Sequence, residues 1–167
     1  PGTYLAGGYN RLATDIAGRT IENEELVNLP NWLPLRFRPE GGDWLNLRRI
    51  EVLEYRQALD LDKGVLERQM RVRDSERRET SVISRRIVHM GQPHLAAMEV
   101  QLRPENWSGR MEVRSALDGR LVNAGVERYR QLNSKHLAVL EATSIGQDGA
   151  LLVAETTQSR IRIAQAA

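Results

Sequence analysis

The sequence predicts an all-β chain folded as an antiparallel β-sandwich, and three observations predict it. Apolar and polar residues alternate with a period of two in many short segments, the signature of half-buried strands. Glycine- and aspartate-containing turn signals separate those segments at strand spacing. The hydrophobic share of 41% and charged share of 28% are those of a folded domain, and 167 residues suffice for one.

From the N-terminus, Glu22 to Leu29 is open between an extended loop and a single helical turn. Glu22, Glu24 and Glu25 form a polar run before Leu26-Val27 that reads as a solvated loop. Pro30 and Pro34 lie four apart in Asn28-Leu29-Pro30-Asn31-Trp32-Leu33-Pro34, which excludes a helix interior or a central strand and predicts a stiff extended lead-in. A strand follows over Leu33–Arg38, with Leu33, Leu35 and Phe37 on one face. In Leu66–Arg73, Leu66, Met70 and Val72 share a face, and Glu67, Gln69, Arg71 and Arg73 take the other. Ala96, Met98, Val100 and Leu102 alternate with Ala97, Glu99, Gln101 and Arg103. Met111 and Val113 oppose Glu112 and Arg114. Asn133–Thr143 fits a strand better than a helix capped by Asn133 or Ser134, and Ile161 and Ile163 oppose Arg160 and Arg162. The connections Glu40-Gly41-Gly42-Asp43, Asp62-Lys63-Gly64, Ser108-Gly109, Asp118-Gly119 and Gly146-Gln147-Asp148-Gly149 carry residues that favour positive φ. The prolines at 30, 34, 39, 93 and 104 fall in loops or at strand ends, where a missing N–H is harmless.

Charge narrows the function classes. Lysine and arginine number 24 and acidic residues 22, a net charge of +2, too small for an electrostatic nucleic-acid binder. All but Lys63 and Lys135 of the basic residues are arginine, interleaved with carboxylates, which predicts strand faces laced with Arg–carboxylate pairs. The longest apolar run, Ala150–Ala154, is far short of a membrane span. Cysteine is absent, which removes disulfides and thiolate metal sites and agrees with a cytoplasmic setting. His89, His94 and His136 lack metal-ligand spacing and read as structural or surface residues; no metal or organic cofactor is expected.

Glycoside chemistry needs a carboxylic acid, so Glu22, Glu24, Glu25, Glu105 and Glu155 are the candidates to weigh, although none stands in a setting that marks a catalytic acid. The tryptophans say more. Pro30-Asn31-Trp32 and Pro104-Glu105-Asn106-Trp107 share a context in which an indole face beside an amide could hold a sugar, the ring on its C–H face and the amide on its hydroxyls. The competing reading has each Trp close one end of the core while its Asn bonds the local backbone. Asn31, Trp32, Asn106 and Trp107 are therefore candidates for carbohydrate or interdomain contact, and no catalytic residue is assigned.

Five collinear blocks make the sequence specific: GTYLAGGYN (2–10), ELVNLPNWLPLRFR (25–38), YRQALDLDKGVLERQMRVRD (55–74), PENWSGRMEVRSALDGRLVNAGVERYR (104–130) and QSRIRIA (158–164). Together they resemble the N-terminal domain of family 65 glycoside hydrolases, the family of maltose, trehalose and kojibiose phosphorylases and related α-glucoside hydrolases. The resemblance implies a super-sandwich of the galactose-mutarotase-like type over 1–167. It also implies truncation at both ends, since the family has glycine-rich strands before the GTY block and more sandwich after Ala166-Ala167. The catalytic general acid and the site for water or phosphate would lie in an (α/α)6 barrel outside this chain. The parent would then be an inverting enzyme acting on an α-glucoside disaccharide, with inorganic phosphate as co-substrate if a phosphorylase, while this fragment alone would be inactive. Its expected partners are its own catalytic barrel and a second copy in a homodimer, with neither nucleic acid nor membrane. The alternative is an autonomous carbohydrate-binding module using Trp32 or Trp107.

Overall fold

The structure, a computed structural model, describes residues 7–124 and 131–167, so the last six residues of the 104–130 block and the first five of the 2–10 block lie outside the described residues. Eleven strands are present among them and no helix: β1 (Tyr9–Ile16), β2 (Arg19–Leu26), β3 (Leu35–Pro39), β4 (Glu51–Asp60), β5 (Val65–Arg73), β6 (Glu79–Val88), β7 (Ala96–Pro104), β8 (Met111–Ser115), β9 (Leu137–Ile145), β10 (Gly149–Thr156) and β11 (Arg162–Ala166). Among the described residues all registered pairings are antiparallel and no sheet closes on itself, as an open sandwich requires. The described residues gather into two compact units, one built from 35–114 and the other from 7–34, 115–124 and 131–167.

In the first unit, β4-β5-β6-β7 is an up-and-down sheet, and β3 pairs with β8 in a second, smaller one. Phe37 on β3 packs with Met70, Val72 and Val82 of the larger sheet, and Leu45, Ile50, Val100, Leu102 and Met111 surround them. This is the two-layer arrangement that alternation demands, because each sheet must hide one apolar face. Met70 and Val72 lie on that face as expected, at 7% and 1% exposure. The Asp62-Lys63-Gly64 turn joins β4 to β5 with Gly64 at φ 64°, a conformation that only glycine adopts cheaply. Val113, expected beside Met111 on the buried side, is instead 54% exposed, near the C-terminal end of β8.

The other face of the larger sheet carries the predicted charge lacework. Arg73 bridges Glu51 and Glu79, Arg71 pairs with Glu54, and Arg85 reaches Glu67 at 2.7 Å and Glu99 at 3.4 Å. The Arg85 guanidinium, then the Gln69 amide, holds the Glu67 carboxyl below its ordinary 4.5. Glu99 is lowered by the Gln101 amide first and by Arg85 second. Because both carboxyls titrate lower folded than unfolded, the stability they contribute is complete above the ordinary carboxylate range and is lost as pH falls through the folded values. Urea midpoints are therefore expected to drop on acidification from about pH 5 to about pH 3, and Arg85→Met is expected to flatten that drop. An unchanged acid slope in the variant would remove this account.

In the second unit, β1 and β2 form a hairpin through Ala17 and Gly18, at φ 50° and 77°, as the primed two-residue turns require. Glu22–Leu26 is therefore strand, neither helical turn nor loop; the alternation of Glu24 and Leu26 outward with Asn23 and Glu25 partly buried is its signature. β9, β10 and β11 make a three-stranded sheet, which settles Asn133–Thr143 in favour of strand from Leu137 onward. Leu12, Val27, Leu137, Leu152 and Ala154 are buried here. Gly119 does not take positive φ, contrary to expectation. A Cβ there would stand 2.6 Å from Val139 Cγ2 and 3.2 Å from Leu152 Cδ2, so glycine is needed for close approach.

Candidate functional site

The lead-in to β3 is tied down by its backbone. Asn31 N–H donates to Asp118 C=O at 2.7 Å and Asp118 N–H returns to Asn31 C=O at 2.9 Å, forming a bridge between the two chain segments. Asn31 Oδ1 accepts the Leu33 N–H at 3.0 Å, an Asx turn that aims the chain into Pro34 and β3. Trp32, between these anchors, is half-buried.

Asn106 is bound still more tightly to the backbone. Its Oδ1 accepts the Glu79 N–H at 2.7 Å and its Nδ2 donates to Arg77 C=O at 3.0 Å. Trp107 Nε1 donates to Glu79 C=O at 3.0 Å and to Thr80 Oγ1 at 3.2 Å, with the Arg78 guanidinium 5.9 Å from its ring centroid. Both polar groups that a sugar would use at this pair thus already close the β7–β8 connection onto β6. The pair belongs to the first unit and Asn31-Trp32 to the second.

A third tryptophan is flanked by charge on both sides. Trp44 lies between the guanidiniums of Arg38 and Arg114, each 4.6 Å from its ring centroid. Arg38 also gives both Nε and Nη2 to Glu112 Oε2, at 3.0 and 2.8 Å, across the β3–β8 pair. Such stacking is worth about 0.5–1 kcal/mol per cation at a partly exposed site. Alternation places Arg38 and Arg114 on the faces of their strands opposite Phe37 and Met111, so the charged side of this clamp was visible in the sequence; its aromatic filling was not.

Each carboxylate candidate has partners. Glu24 accepts Arg11 Nε at 2.7 Å and Glu22 accepts Gln158 Nε2 at 3.2 Å. Glu105 is held below its ordinary value by the Ser81 hydroxyl first and Arg103 second, and Glu155 by Arg160 and then Arg162. A general acid in glycoside cleavage needs the opposite shift, toward retention of its proton.

Glu25 sits in an extended polar arrangement. Asn10 and His136 are each 1% exposed. Asn10 Oδ1 accepts the backbone N–H groups of Ser159 (2.9 Å) and Gln158 (3.2 Å), which fixes the amide orientation. Its Nδ2 then faces His136 Nδ1 and Thr157 Oγ1, both at 3.2 Å. An amide N–H must donate, so His136 Nδ1 accepts and the ring carries its hydrogen on Nε2. That Nε2–H donates to Glu25 Oε2 at 2.9 Å, and the same oxygen accepts Asn123 Nδ2 at 2.9 Å, while Asn23 Nδ2 donates to Oε1 at 3.0 Å. Asn123 also donates to Leu26 C=O and accepts the Asn28 N–H. The chain Asn10–His136–Glu25–Asn123 thus pins the β1–β2 hairpin to the β9–β10–β11 sheet. His136 is a satisfied structural histidine, in keeping with the sequence reading, although its partners are 126 and 111 residues distant. His89 caps a turn, its Nδ1 accepting the N–H groups of Gly91 and Gln92.

The chain is 47% identical over 167 residues to an uncharacterized glycosyl hydrolase of Mycobacterium tuberculosis, covering 100% of this chain and 12% of that protein. It is 34% identical to a kojibiose phosphorylase of Caldanaerobacter subterraneus subsp. tengcongensis, covering 98% of this chain and 20% of the relative. It is 29% identical to a trehalose 6-phosphate phosphorylase of Lactococcus lactis, again covering 98% and 20%. The chain thus spans between 12% and 20% of the length of these relatives. The model of the glycosyl hydrolase family 65 N-terminal domain matches residues 1–167, and this chain belongs to that family.

Proposed function

We propose that residues 1–167 form a non-catalytic N-terminal sandwich domain that supports the catalytic barrel of a disaccharide-cleaving α-glucoside phosphorylase or hydrolase and shapes its active-site rim. Family membership over the whole chain, within much longer relatives, carries this reading. The commitment of Asn31, Asn106 and Trp107 to backbone partners supports it, because groups so engaged serve to fix loops. The substrate, inorganic phosphate in the phosphorylase case, and the general acid belong in this reading to the parent's remaining sequence. Two copies of this 167-residue chain pair as a homodimer, or exchange strands, through open sheet edges, which invite strand pairing; a sedimentation mass of one chain at high concentration would remove that part.

The test assays the 167-residue chain with maltose, kojibiose and trehalose, with and without phosphate, and titrates the same sugars calorimetrically. No turnover and no heat at millimolar sugar are expected. Turnover would refute the non-catalytic role. Millimolar or tighter binding abolished by Trp32→Ala or Trp107→Ala would establish the carbohydrate-module reading instead. In the supporting role, Trp32→Ala lowers the unfolding midpoint and leaves sugar titrations flat.

A further inference from the structure

The core face of the β4-β5-β6-β7 sheet does not end with its apolar cluster. Register places Arg68 directly opposite Ser84, and Arg86 two residues beyond Ser84 on the same face, opposite Leu66 and Met98. Ser84 is only 3% exposed, yet its Oγ has no hydrogen-bond partner, and the buried Nε atoms of Arg68 and Arg86 have none either. Three orphaned donors therefore lie side by side. Among the described residues neither arginine has a carboxylate within ion-pair distance, whereas Arg71, Arg73 and Arg85 on the opposite face all have one. Buried polar groups in folded proteins are nearly always satisfied, and two neighbouring cations call for a counter-ion. Burial, then the Arg68 charge, lowers the Arg86 guanidinium below its ordinary value, as such crowding requires.

The surroundings say what kind of acceptor fits. Tyr55 and Leu59 on β4 share this face and are 59% and 57% exposed, and Leu66 and Met98 are half-buried beside the arginines. A free small anion would leave that apolar skirt in water. A polypeptide segment with apolar side chains around an Asp or Glu would cover the skirt and supply the carboxylate.

We propose that the Arg68–Ser84–Arg86 face receives a carboxylate from an acidic, otherwise apolar segment of the parent chain outside residues 1–167. This rests on the reading of the chain as one domain of a longer enzyme, in whose relatives four fifths or more of the length lies outside the matched part. Arg68 and Arg86 clamp the carboxylate from adjacent strands, and Ser84 donates between them. The surface is thus a charged socket within an apolar interface, which fixes register as well as holding the two parts together.

The experiment uses the full-length parent. Hydroxyl-radical labelling of Leu59 is compared with that of Leu61, the same residue type at 83% exposure in the neighbouring turn. An open face gives Leu59 about two thirds of the Leu61 rate, in proportion to 57% against 83%; a covered one is expected to give roughly a fifth or less. Zero-length carbodiimide coupling in the R86K variant then reports the acceptor, because its amine forms an amide only with a carboxylate in contact. Coupling to an Asp or Glu beyond residue 167 or before residue 1 of the same chain is the expected product. Leu59 labelled in proportion to its exposure, no coupling at position 86, coupling within 1–167, or a cross-linked dimer would each overturn the proposal. R68M/R86M is expected to raise Leu59 labelling at least severalfold, and an unchanged rate would count against the arginines. Disaccharide cleavage by the same preparation is scored separately. Cleavage with an open face defeats this inference alone, and its absence with a covered face defeats only the enzymatic reading.

Discussion

Asn10→Ala is expected to cost about 3–5 kcal/mol of unfolding free energy, a large share of the 5–15 kcal/mol a domain has. The amide serves five contacts: two backbone N–H groups and the Ser159 hydroxyl at Oδ1, and His136 and Thr157 at Nδ2. Truncation leaves the Gln158 and Ser159 N–H groups and the His136 Nδ1 without partners in a site 1% exposed, and each orphan costs about 1–3 kcal/mol. Asn10→Asp separates hydrogen bonding from size. It preserves the Oδ1 contacts but sets an oxygen against His136 Nδ1, so the ring must move its hydrogen and release Glu25. A loss of about 2–3 kcal/mol is expected. Chemical denaturation gives the totals, and amide exchange gives the location. Gln158 and Ser159 should exchange faster in Asn10→Ala and stay protected in Asn10→Asp. Equal protection in all three proteins would mean that Asn10 is not their acceptor.

Phe37→Ala is expected to cost a comparable amount, about 3–5 kcal/mol, for a different reason. Phe37 is 5% exposed and is the one buried residue of the central cluster that β3 contributes against Met70, Val72 and Val82. Removing its ring leaves a cavity between two sheets whose backbones are held apart by the remaining side chains, so little collapse can offset the loss. The control lies on β8, the strand paired with β3: Val113→Ala, at 54% exposure, should stay within about 0.5 kcal/mol. If both variants unfold at the wild-type denaturant midpoint, the two-layer packing of the first unit is wrong.

How much of this was legible before the coordinates differs by element. Strands β5, β7 and β8 were readable to within a residue or two from the alternation of residue type; in β7 that alternation also reports burial, whereas in β8 it does not, since Val113 is exposed. β2 was not. Its burial contrast is weak, with six of eight residues exposed outright, so glutamates on both faces resemble a loop. The signal that could have found it was Ala17-Gly18 as a two-residue hairpin turn, and Ala17 at positive φ made it easy to overlook. Of the candidate contact residues, Asn31 and Asn106 were marked by adjacent Pro and Trp, but whether their amides faced outward or bonded the backbone was not written in that spacing. Both bond it.

What the sequence determined by itself is the strand class, the Arg–carboxylate character of the outer sheet face and, through its five blocks, the family. These are local or compositional properties, set by the residue and its neighbours in the chain. Only the tertiary structure decided that Asn10, Glu25, Asn123 and His136 form one chain of hydrogen bonds, and that Arg68 and Arg86 stand together without an acid among the described residues while Arg71, Arg73 and Arg85 have one. The physical reason is common to both. A side chain's hydrogen-bond partners depend on strand register and on contacts more than a hundred residues apart, and neither is encoded in the period of the pattern that makes the strands.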